Sequence, residues 1–207
     1  MASALAPNDV FVNCPFDEDY SPLFRAAVFA IYDCGFRARC TLEYDDSVVA
    51  RMEKILGLVE ECRYGVHDLS MTDLDEATGL PRFNMPFELG LFFGAKHYGP
   101  VVQRQKRCLI LDRKKYRHMK FISDLGGHDP KSHGNSQKGV IRAVRNWLRS
   151  SSGRTGIPGA EEINRRWRRF KSKLPAICAE AKLDEDDLVF NDFAMLVSAW
   201  ISRNPVF

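Results

Sequence analysis

Apolar residues recur along the chain in two alternating rhythms: short runs with a strand-like repeat, and longer stripes with a 3.6-residue repeat. Asp9-Val10-Phe11-Val12-Asn13-Cys14 is a β-branched and aromatic run that stops at Pro15, and it predicts a buried strand. An acidic loop follows. Ser21 is then expected to cap a helix with Pro22 at its first position, where a missing N–H leaves nothing unsatisfied. Leu23, Phe24, Ala27, Val28 and Ile31 form the stripe of that helix, and Gly35 ends it. Phe36 to Leu42 alternates as a second strand. A helix starting at Asp46 or Ser47 is expected to bury Val48, Val49, Met52, Ile55, Leu56 and Val59. Tyr64 to Ser70 reads as a third strand ending in polar groups. A loop with Asp73, Asp75, Thr78, Gly79 and Pro81 then leads into another helix. In that helix Pro86 is expected at the first position, with Asn84 or Met85 as the cap. Glu88 then falls in the first turn, where the helix dipole favours a carboxylate.

Arg107 to Asp112 is a fourth strand, followed by a polar segment, Arg113 to Asn135, with partial helix expected around Phe121 and Ile122. Val140, Ile141, Val144, Trp147 and Leu148 mark a helix. The stretch from Ser150 to Gly159 has linker composition, and Ala160–Ala181 and Asp184–Ser202 are helix-like. The chain therefore divides into an α/β domain (1–150), a linker (151–159) and a helical extension (160–207).

Strand and helix alternating at least four times implies right-handed βαβ units, a parallel sheet and helices on both faces. In a 2-1-3-4 strand order, a ligand crevice opens beyond the carboxyl ends of the first and third strands. Asn13, Cys14, Pro15 and Phe16 reach it from one side and His67, Asp68 and Ser70 from the other. The Glu88 helix starts beside it.

With 45% hydrophobic residues in 207, the chain can bury a core and does not have the composition of a disordered segment. A net charge of +3 does not call for a polyanion partner. The basic run Arg165, Arg166, Arg168, Arg169, Lys171, Lys173 surrounds much of its helix without a recognition motif, so no nucleic-acid partner is expected. The six cysteines have no metal or redox spacing and read as reduced core residues, which suits the cytoplasm. His118, His128 and His133 with Asp129 match no zinc pattern, so no metal is expected. There is no signal-peptide pattern and no apolar run long enough to span a membrane.

The crevice residues also carry a family resemblance. Asp9-Val10-Phe11-Val12-Asn13-Cys14-Pro15-Phe16-Asp17, a helix and then Gly35 resemble the opening of Toll/interleukin-receptor (TIR) domains. The third strand followed by Pro86-Phe87-Glu88-Leu89-Gly90 is similar to nucleoside 2-deoxyribosyltransferases, in which a strand ending in Asp precedes a helix carrying Phe-Glu-Leu-Gly. The likeness covers roughly Asp9 to Leu148 and departs from both groups at Phe83-Asn84-Met85-Pro86.

The resemblance implies a flavodoxin-like three-layer sandwich with a mostly parallel sheet of four or five strands. It implies cleavage, by hydrolysis or transfer, of the N-glycosidic bond of NAD or a related nucleotide in bacterial anti-phage defence. NAD enters as substrate, and no cofactor is expected. A homo-oligomer or an assembly with a defence partner is expected. On this likeness Glu88 is catalytic. Asp68 binds a ribose hydroxyl or raises the pKa of Glu88 by like-charge repulsion. Phe16, Phe83 and Phe87 stack on the base, and Asn13 and Asn84 donate to sugar or amide groups, with Pro15 beside them. The alternatives are a non-catalytic TIR-like interaction module and a nucleotide sensor.

Overall fold

Strand β1 (Ala6–Asn13) lies inside the sheet, second from its edge, flanked by β2 (Arg37–Arg39) and β3 (Cys62–Asp68). Beyond β3 lie β4 (Arg107–Asp112) and β5 (Lys131–Ser132), giving the order β2-β1-β3-β4-β5 with every pairing parallel. The computed structural model describes residues 4–74 and 79–206, so Asp75 and Thr78 of the expected loop lie outside the described residues. The helices are α1 (Ser21–Asp33), α2 (Arg51–Glu61), α3 (Asn84–Tyr98), α4 (Gln137–Ser152), α5 (Ala160–Ala181) and α6 (Phe190–Arg203). This is a flavodoxin-like α/β arrangement. None of the described helices is long and apolar enough to cross a membrane.

The two-residue alternation of each strand separates the layers. Val10, Val12, Tyr64, Val66, Leu109 and Leu111 point to one face and pack with α1 and α4. Phe11 points to the other and packs with Ile55, Leu58 and Val59 of α2 and Phe92 of α3. Leu69, Ile110 and Leu125 meet Met85 and Leu89 of α3. Helices α5 and α6 cover the outside of α1 and α4 and share their core. The Phe29 ring of α1 lies 5.3 Å from Trp167, 5.4 Å from Phe170 and 5.8 Å from Trp200.

Several expected boundaries shift for local reasons. Ser21 is the first residue of α1 and makes no cap hydrogen bond, because a 3-10 turn at Glu18–Tyr20 leads into the helix. Helix α2 starts later than expected, at Arg51, and of its expected stripe only Ile55 and Val59 are buried, joined by Leu58. Val48, Val49, Met52 and Leu56 are exposed. With β2 only three residues long, the sheet offers no surface for them. Helix α3 starts earlier, at Asn84, with Phe83 as its cap, so Pro86 is the third residue and Glu88 the fifth. Its first i→i−4 bond runs from Phe87 N to Phe83 O at 2.9 Å. Proline is tolerated at any of the positions before that bond, because those N–H groups have no helical acceptor.

The segment after β4 is partly helical around Phe121 and Ile122, as short 3-10 helices at Arg117–Lys120 and Ser123–Leu125 on either side of them, and then forms the short β5. Ser150–Ser152 complete α4, and Gly153 (φ 69°) ends it in the left-handed conformation. The residues that follow are anchored. Arg154 donates to Gly35 O at 2.8 Å and stacks over Phe36, and Ile157 is buried.

Candidate active site

Asn13 and His67 stand side by side at the carboxyl ends of β1 and β3, in register and on the α2–α3 face of the sheet. The Asn13 amide donates to His67 Nδ1 at 3.0 Å and to Met85 O at 3.3 Å, tying the first turn of α3 to the sheet. Its own Oδ1 is buried without a partner. Accepting at Nδ1 leaves the His67 proton on Nε2. That nitrogen is also unpartnered, inside a ring edge-on to Phe11 and Phe92. Burial, and then the Lys106 ammonium, push His67 down to about 3, so it is neutral. Lys106 is itself buried, donates to the Val59 and Cys62 carbonyls and sits 4.6 Å over the Phe92 ring; mainly through burial it is pushed down to about 8.

One turn into α3 the Glu88 side chain turns inward and is 4% exposed, while Phe83 and Phe87 beside it are 63% and 54% exposed. The carboxylate faces the start of α2, where Arg51 Nη2 lies 3.5 Å away. Burial raises the Glu88 pKa, and Arg51 opposes that rise.

Asp68 sits at the end of β3 on the opposite face of the sheet. Its carboxylate accepts from Tyr20 Oη at 2.5 Å and Ser70 N at 2.8 Å, and His133 Nε2 is 3.1 Å away. Burial works against its ionisation, but the hydrogen bonds from His133, Ser70 and Tyr20 win and hold it below the usual carboxylate range. Ser70 Oγ also lies 2.8 Å from His133 Nε2. This Ser-His-Asp group is not wired as a proton relay. His133 Nδ1 accepts from Asn135 N at 3.1 Å, so the ring proton is on Nε2 and no lone pair faces Ser70. A cavity of about 350 Å³ opens on this side, lined among others by Tyr20, Ser70, Arg113 and Asn135. Cys14, the residue after Asn13, is buried in the core. Its thiol is pushed well up, first by burial and then by Asp68, with a smaller contribution from Glu88.

The crevice thus has two sides. Glu88, Asn13 and His67 belong to one and Asp68 to the other. The like-charge effect of Asp68 on Glu88 is not found: burial and Arg51 set the shift of Glu88. Phe16 turns away from Glu88 and packs edge-on against Phe24 at 5.3 Å, in a small cavity shared with Phe190 of α6. Pro15 is buried, and Asn84 is exposed as the first residue of α3. The loop after β1 is tied to the entry of α3 by Arg82, which donates to both Asp17 oxygens at 2.9 and 2.7 Å.

Arg51, Tyr20 and His133 carry no sequence signal that marks them as members of the crevice. Each reaches its carboxylate from a different element, 37, 48 and 65 positions away in sequence, so no local spacing announces them. Among the described residues no group of three or more His, Cys, Asp or Glu is placed to hold a metal ion. No protein-family model and no curated protein matches the chain.

Proposed function

We propose that the chain cleaves the N-glycosidic bond of NAD or a related nucleotide, by hydrolysis or transfer, with Glu88 acting on the ribose. The observation that carries this reading is the desolvated Glu88 carboxylate on the α2–α3 side of the β1–β3 switch point, 3.5 Å from one exposed cation, Arg51, whereas the buried Asp68 carboxylate on the other side is taken up by Tyr20, Ser70 and His133. Breaking the bond from the anomeric carbon to nitrogen leaves oxocarbenium character on the sugar. A carboxylate held out of water stabilises that charge far more than one in solvent, or captures it as a nucleophile. Nicotinamide departs with the bonding electron pair and becomes neutral, so it needs no proton from the protein. Phe83 and Phe87 offer exposed flat faces for a base, and Arg51 offers a cation for phosphate. The resemblance to TIR domains and nucleoside 2-deoxyribosyltransferases supports a glutamate in the same role, in the defence setting it implies.

The test is a product profile of wild type and Glu88→Gln incubated with NAD. Nicotinamide release should fall at least ~100-fold in the variant. Equal turnover in both proteins would remove Glu88 from the reaction. A second reading, an interaction module in which Glu88 is structural, is favoured by the exposed Val48, Met52, Leu56, Phe83 and Phe87 on α2, α3 and the turns leading into them. It gains ground if the wild type consumes neither NAD nor a panel of nucleosides and nucleotides.

A further inference from the structure

Strand β5 is too short for the edge it covers. Its two residues pair with Leu111 and Asp112, so β4 from Arg107 to Ile110 has no strand on its outer side among the described residues. The Leu111 carbonyl accepts from Leu69 N on the inner side at 2.9 Å, and the Asp112 carbonyl accepts from His133 N on the outer side at 3.0 Å. Main-chain groups two residues apart point the same way, so those of Cys108 and Ile110 also face outward.

A cavity of about 550 Å³ lies along this edge, floored by Cys108, Leu109 and Ile110. One wall is Phe93 of α3 with His128, their rings stacked at 5.1 Å. The other is α4, with Ala143 and Trp147 inside and Arg142 at the rim. The α4 wall runs from Gly139 to Ser150. That is about 16 Å of helix, room for about five residues of extended chain.

We propose that this groove is a strand-addition site, where an extended segment of a partner protein pairs main chain to main chain with β4 and completes the sheet edge. The outward backbone groups define the ligand as a peptide. The walls define its sequence. One row of its side chains meets Phe93 and His128 and the other meets Ala143 and Trp147. A strand covered on both faces is a near-continuous run of Val, Ile and aromatic residues. An acidic side chain complements Arg142, whose carboxylate neighbour Glu161 is 3.9 Å away, whereas Asp129 is already paired with Lys131. A single flat heterocycle would span only a fraction of the groove.

Panning a random heptapeptide phage library against the full chain, then measuring fluorescence polarisation with the enriched peptide as a synthetic probe, tests the site. The peptide should bind with Kd below about 100 µM. N-methylation of an amide that points to β4 should weaken it about tenfold. Ala143→Arg, which fills the groove from α4, should weaken it at least as much while leaving thermal stability and circular dichroism unchanged. Amide exchange at Cys108 and Ile110 should slow when peptide is bound. Failure to enrich any peptide, binding indifferent to N-methylation or to Ala143→Arg, or protection of the same amides by AMP instead would overturn the proposal.

Discussion

At the scale of single residues, the feature with the sharpest consequence is the balance at Glu88. Burial raises its pKa and Arg51 pulls the other way. A carboxyl raised above its unfolded value holds more protons in the native state, so stability falls as pH rises through the window between the two values. Activity under the proposed chemistry needs the ionised form and should rise through the same window. Arg51→Ala removes the opposing cation and should move the acid limb of the kcat/KM profile to higher pH. An unmoved limb would mean that Glu88 is not the titrating group. The contribution of Arg51 to stability should be small, since its side chain is about half exposed. Of this balance the sequence shows only one half. Glu88 is visible as one acid among Phe83, Phe87, Leu89 and Phe92, whereas Arg51 opens another helix and nothing in its neighbourhood marks it.

At the scale of elements, the strands with strong alternation were the most legible. Val10, Phe11 and Val12 divide between the two faces of the sheet as their pattern implies, and β4 falls at Arg107–Asp112 as expected. Where the pattern misled, the partner was the cause. The 3.6-residue stripe expected for α2 is helical only from Arg51 on, leaving Val48 and Val49 ahead of the helix, and periodicity reports an apolar side and not whether anything lies opposite it: Met52 and Leu56 on the helix are 40% and 47% exposed. β5 was invisible because Lys131–Ser132 is polar and held only by register with β4. Strand β3 and helix α3 fit closely at Gly65. A Cβ there would lie 2.9 Å from the Phe92 ring of α3 and 2.8 Å from His67 Nε2. Gly65→Ala therefore has to push α3 away from the sheet, and it should cost about 1–3 kcal/mol, read as a lower urea midpoint. Because Asn13 and Phe92 hold the helix that carries Glu88, the same variant should lose activity under conditions where it remains folded. Wild-type stability would show that α3 yields without strain.

At the scale of the whole molecule, the question is whether residues 160–207 form an appendage or a wall of the core. Helix α1 is apolar on nearly every side: Leu23, Phe24, Ala26, Ala27, Val28, Phe29, Ala30 and Ile31 are all buried. A helix of that kind needs cover on both sides, and the sheet can supply only one. Phe170 and Trp200 supply much of the other, packing on Phe29 from α5 and α6. The layers are also joined by a buried ion pair. Arg166 of α5 donates to Asp33 of α1 at 2.8 and 3.0 Å and to Asn204 O at 2.8 Å. Burial raises the Asp33 pKa, and Arg166 counters it. Removing α5 and α6 would therefore do two unfavourable things at once. It would expose the Phe29 face of α1 to water and leave Asp33 without its counter-charge. Breaking a buried pair alone typically costs about 3–5 kcal/mol, a large part of the 5–15 kcal/mol that typically separates folded from unfolded domains. A chain ending at Gly159 is thus expected to lose cooperative thermal unfolding and near-ultraviolet dichroism and to bind a hydrophobic dye. A sharp transition in that truncated chain, close to the full-length Tm, would instead mean that the α/β layers fold by themselves and that the two helices serve another purpose.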